Sequence, residues 1–101
     1  MSSYYVIEAS FGPRVEQSVL RYGPIEASDP KNAIHIARFE STGYGHLRVE
    51  VFPNEESYRR RERPVAVWEN TEALRLDLAH KRIPQEKFEA FFVTPLPSSP
   101  Q

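Results

Sequence analysis

The sequence predicts an α+β fold in two layers. A four-stranded, mainly antiparallel sheet carries helices on one face, in ββαββα order, with a short C-terminal helix added. Three observations lead there. Asp29-Pro30 opens a clear helical segment, two stretches alternate apolar and polar residues, and the strand–strand–helix order recurs when the chain is offset by forty residues.

The helix is the most sharply written element. The Asp29 carboxylate suits the free N–H groups of a first turn, and Pro30 at the first helical position gives up an N–H that would be an orphan there. Ser28 is the alternative cap, one residue earlier. The helix runs to about Glu40 and stops near Gly43. Ala33, Ile34, Ile36, Ala37 and Phe39 spread over roughly 220° at about 100° per residue, an arc wide enough to meet a sheet and one flanking segment.

Upstream, Tyr4 to Phe11 alternates. Tyr5, Ile7, Ala9 and Phe11 fall on one side, as in a half-buried strand. Gly12-Pro13-Arg14 breaks it, and Val15 to Tyr22 forms a second extended run. Tyr22-Gly23-Pro24 reads as a turn leading into a short extended stretch before the helix. Beyond the helix, Thr42-Gly43-Tyr44-Gly45 is a return. His46 to Phe52 then alternates, with Leu47, Val49 and Val51 on one face against Arg48, Glu50 and Phe52. The charged stretch from Glu55 to Arg63 suits a loop or a short helical turn. Pro64 opens a strand through Glu69, on an edge by the usual place of proline. Asn70 or Thr71 caps a second helix running to Lys81 or Arg82. Gln85 to Phe92 places Phe88, Phe91 and Phe92 on one helical face, which covers either an edge of the core or part of the second sheet face.

At the forty-residue offset Tyr4, Pro13, Glu16, Arg21, Pro24 and Ala33 meet identical residues. A duplicated ββα unit explains this; shared secondary structure aligning apolar positions explains much of it too. The expected core is Ile7, Ala9, Ile34, Ala37, Leu47, Val49, Val51, Val67, Leu74, Leu78, Phe88 and Phe92. Residues 1–93 form one domain, and the Pro/Ser-rich residues 94–101 form a disordered tail.

Composition bounds the function. The chain has 101 residues, 40% of them hydrophobic, and a net charge of −1. That is one domain with a small core and no global field for nucleic acid or anionic membrane. There is no cysteine, which removes thiol nucleophiles, disulfides and thiolate metal sites. No apolar run approaches the ~20 residues of a membrane span, and no signal-peptide pattern opens the chain, so the expected location is cytoplasmic.

The sharpest local signal is Arg59, Arg60, Arg61 and Arg63 beside Tyr58. Guanidinium forks suit phosphate, and an aromatic ring can stack a base. Glu55, Glu56 and Glu62 dilute that field, and a self-paired charged loop is the plainer account. Tyr4, Phe52 and Trp68 would share the outer sheet face, but the element order is not that of the common RNA-binding sheet, and packing explains them better. His35, His46 and His80 lack a metal-ligand spacing, so no metal or cofactor is expected. Glu8 and Glu50 would suit an acid/base pair if they faced each other across strands; solubilising roles are commoner. Asp77 and Lys81 suit a helix-face ion pair. No catalytic residue stands out, and an enzyme is disfavoured without being excluded.

The expectation is therefore a small non-enzymatic module that binds protein, or itself as a homodimer. Tyr58, Arg59, Arg60, Arg61, Arg63 and Trp68 are its candidate binding residues. The alternative is a nucleic-acid-binding protein using Arg59 to Arg63.

Overall fold

The structure, a computed structural model, describes residues 2–11, 18–40, 45–80 and 84–97. Its elements in order are β1 (Ser2–Phe11), β2 (Ser18–Ala27), α1 (Pro30–Glu40), β3 (His46–Phe52), α2 (Glu55–Arg59), β4 (Ala66–Glu69), α3 (Thr71–Ala79) and α4 (Gln85–Phe91). The strands form one sheet in the order β2-β1-β3-β4, with every neighbouring pair antiparallel. The α+β class, the four-stranded antiparallel sheet and the ββαββα order are as the sequence predicts. The expected break at 12–14, the return at 42–44 and the end of the second helix at 81–82 lie outside the described residues.

Side-chain caps start three of the helices. Asn32 N–H donates to Asp29 Oδ1 at 2.7 Å, and Ser28 N–H donates to Asn32 Oδ1 at 3.1 Å, so the first turn of α1 is closed from both ends. Asn54 caps α2 and Asn70 caps α3 in the same way. β2 runs straight through Gly23 and Pro24, where the sequence suggested a turn. An edge strand has one side without ladder partners, so a proline fits there.

The helices lie on both faces of the sheet, not on one. Tyr5, Ile7 and Ala9 of β1 pack with Phe52, Leu74 of α3, Phe88 of α4 and Phe92. Val6, Val49 and Val51 point the other way and pack with Ala33 and Ala37 of α1. Alternate residues of a strand face opposite sides, so α1 and α4 sandwich the sheet. The cause lies in β3, where every residue is buried. Arg48 and Glu50 suggest a wet face, but the Glu69 carboxylate and two carbonyls satisfy Arg48, and two backbone N–H groups satisfy Glu50.

A bulge refines the β3 pattern. Ala9 pairs with Arg48, but Ser10 pairs with His46, so Leu47 is the extra residue. It turns into the cluster of Ile7 and Ala9, away from Val49 and Val51. The duplicated-unit reading gains nothing from this arrangement. Its equivalent residues Ala9 and Val49 face opposite sides, as do its equivalent helices α1 and α3. Of the expected core, Ile34 and Leu78 are half-buried and Val67 is 43% exposed. The other nine are buried. Among the described residues no helix is long and apolar enough to cross a membrane.

Candidate functional site

The α4-side face holds a buried ionic network. Arg48, 1% exposed, donates from Nε to Glu69 Oε1 at 2.8 Å and again from a terminal nitrogen to the same oxygen. Its other bonds go to the carbonyls of Thr94 at 2.9 Å and Pro95 at 3.0 Å. Glu50 lies 3.7 Å from the same guanidinium and accepts from the N–H groups of Val93 at 2.9 Å and Thr94 at 3.0 Å. The Thr71 hydroxyl donates to Glu69 Oε2. Arginine offers five N–H donors, and four are engaged on the bonds above. This is a clamp on the C-terminal strap, not a ligand site. Leu96 also packs on the core cluster, so the start of the Pro/Ser-rich segment is tied to the sheet. Residues 98–101 lie outside the described residues.

The arginine run is divided among separate tasks. Arg59 and Arg60 pair with Glu55 at 2.7 Å and Glu56 at 2.5 Å across single turns of α2, all exposed. Arg61 adopts a left-handed φ of 59° and donates to the carbonyls of Glu89, Ala90 and Phe92, satisfying the C-terminal end of α4. Arg63 is exposed and forms no hydrogen bond or ion pair among the described residues. The Tyr58 ring packs on Tyr5 and Phe52, and its hydroxyl donates to Phe91 O at 2.6 Å. Burial raises the pKa of that phenol, against the pull of Arg61. Trp68 lies on the α1 side under the Arg38 guanidinium, 4.0 Å from the ring centre. Tyr4 is on that side too, whereas Phe52 is buried on the other, so the three rings expected on one outer face do not share a surface.

What these elements enclose is a groove of about 490 Å³ along β4. Val67, Pro64, Val93, Pro95, Arg61 and Arg63 line it. Val65 and Val67 are 48% and 43% exposed. Among the described residues no acidic side chain lines the groove. A neighbouring hollow that shares Arg61 and Pro95 includes Glu89, so its charge is mixed. The β4 groove thus joins an apolar surface, a sheet edge and uncancelled positive charge.

Glu8 and Glu50 do not face each other. Glu8 pairs in register with Val49 and Glu50 with Ile7, so the two carboxylates lie on opposite faces. Glu8 instead sits 3.6 Å from His46 Nε2, both largely buried. Burial pushes the Glu8 pKa up, opposed by Arg21. It pushes the His46 pKa down, helped by Arg38 and Arg21. His35 is exposed against Phe39, and His80 ends α3. Asp77 is buried and accepts from the Ser18 hydroxyl at 2.6 Å, while Lys81 lies outside the described residues. Among the described residues no three His, Asp or Glu side chains gather as metal ligands. Nothing in a single sequence separates Arg48 and Glu50 from an ordinary solvated strand face; only their partners from β4 and the strap do.

No protein-family model, curated protein or solved structure matches the chain.

Proposed function

We propose that this protein is an interaction module that receives an extended, acidic segment of a partner protein along the outer edge of β4. The observation that carries this is the groove beside β4, lined by two arginines and no acid. Among the described residues β4 has a strand neighbour on one side only. Asn70 N–H bonds Leu47 O, and alternation along an antiparallel pair turns the backbone groups of Val67 and Glu69 away from β3. An added strand would use those groups. Its side chains would meet Val67 and Pro95, and its carboxylates would meet Arg61 and Arg63. Four residues of strand support only a small interface, which fits a transient encounter. Arg59 and Arg60 carry their counter-charges with them, so the nucleic-acid alternative draws less support than the bare sequence suggested.

The test is a fluorescence anisotropy titration with a labelled peptide alternating valine and glutamate, and with its lysine counterpart. The acidic peptide should bind. Arg63→Glu should weaken it at least fivefold, and Val67→Pro should abolish it, since proline removes an outward N–H without touching the β3 ladder. Equal binding of both peptides, or of neither, overturns the proposal. So does tight binding of labelled RNA that depends on Arg59 and Arg60. Light scattering on the same samples reports whether a second copy occupies the edge instead.

A further inference from the structure

On the α1 side, a second groove of about 230 Å³ runs between α1 and the β1–β2 pair. Val6, Glu8, Arg21, Gly23, Ile25 and Ala37 line it. Arg21, Gly23 and Ile25 are alternate residues of β2, opposite Glu8, Val6 and Tyr4 in register, so they share one face. Gly23 lies in the middle of that row and leaves open space where a side chain would stand, beside Val6, which is itself 2% exposed.

This glycine has no structural reason to be one. It does not have a positive φ; Gly45 is the glycine that does among the described residues. The β1–β2 register runs unbroken through it, so it marks no bulge. A Cβ built on it would meet nothing within 4 Å. Glycine inside a strand weakens the strand, and where neither bend nor bulge requires it, close approach of a ligand is the remaining common reason. The second observation is independent. Glu8 and Arg21 are register partners, so their side chains start about 5 Å apart on the same face. The close partner of Glu8 is His46, at 3.6 Å, and among the described residues no ion pair joins Glu8 to Arg21, although both line the groove. One acidic and one basic group therefore stand at a shared hollow without a direct ion pair, coupled only at longer range.

We infer that this groove binds a small zwitterion with an apolar body, of the class of an aliphatic α-amino acid. Glu8 receives the ammonium, Arg21 receives the carboxylate, and the side chain lies over Val6 in the space left by Gly23, against Ala37 and Ile25. The volume agrees: it falls below the ~300 Å³ at which drug-sized pockets begin. Burial raises the Glu8 pKa and Arg21 lowers it in part, as expected of a carboxylate held away from water with its cation near but not in contact. The site is separate from the β4 groove and does not depend on it.

The experiment is an amide chemical-shift titration of the full chain with leucine, leucine amide and 4-methylpentanoate. Leucine should shift the amides of Val6, Gly23 and Ala37 and saturate. The two analogues, each lacking one charge, should bind at least tenfold more weakly. Gly23→Val, which fills open space and favours a strand, should abolish binding while the circular dichroism spectrum stays unchanged. Arg21→Gln, on an exposed side chain, should weaken leucine at least tenfold and leave leucine amide unaffected. No shift with leucine to millimolar concentration, equal binding of all three compounds, or undiminished binding by Gly23→Val or Arg21→Gln would overturn the inference.

Discussion

On the α4 side of the sheet, buried Arg48 and Glu50 meet half-buried Glu69, and backbone groups of the strap complete the bonding of the first two. On the α1 side, Glu8 is buried beside His46 with Arg21 near but unjoined, and its carboxylate lines an open groove. The same residue types do different work because of how much of their bonding capacity is used. A charge network with nearly every group engaged can only hold structure. A desolvated carboxylate with spare capacity at a cavity can meet a ligand.

The largest break in that comparison comes from Arg48→Met. It leaves the buried Glu50 and the half-buried Glu69 without their cation and frees the strap, so the expected loss is about 3–5 kcal/mol. For a chain of this size that lowers the thermal midpoint by on the order of 12 °C or more. A midpoint close to wild type would show that the network is dispensable.

Leu74→Ala tests the apolar part of the same side. Leu74 is fully buried among Ile7, Phe88 and Phe92, and truncation should cost roughly 2–5 kcal/mol. Urea denaturation measures it, and a change well under 1 kcal/mol would mean that the α3 side collapses to fill the hole.

The α1 side should respond to pH with two opposite signs. The Glu8 pKa is raised in the folded state, so its ionised form costs stability. That cost is fully present above the folded pKa and vanishes below the unfolded value near 4.5. Glu8→Gln should therefore hold an advantage over wild type near neutrality that shrinks on acidification. The His46 pKa is lowered, so its contribution is present above the unfolded value of 6.5 and is lost as pH falls through the folded one. His46→Gln should flatten that decline. Urea midpoints across this range that track wild type in both variants would place these groups in water.

The smallest effect is expected from Arg59→Ala with Arg60→Ala. Both pairs are exposed turns of α2, screened by solvent, and the thermal midpoint should not move measurably. A clear drop would show that α2 depends on them.

The local elements were legible in the sequence because their causes are local. Asp29-Pro30 starts α1, Asn70 caps α3, and alternation marks β1 and β3, all from residues a few positions apart. The bounds of α1 and β3 follow directly. The candidate sites were not legible in the same way. Arg59 to Arg63 look like one basic patch in sequence, yet they separate into self-paired, capping and unpaired cations. Gly23 looked like a turn and is a gap in a strand row.

By itself, then, the sequence determined where α1, β3 and α3 begin, most of the residues that bury, and that the sheet is antiparallel. The tertiary structure alone decided that helices cover both faces, that Leu47 bulges, and that Arg48 and Glu50 are interior. The physical reason is that a polar strand position is wet or dry according to what packs over it. For Arg48 and Glu50 those partners lie on β4 and on a strap more than forty residues away.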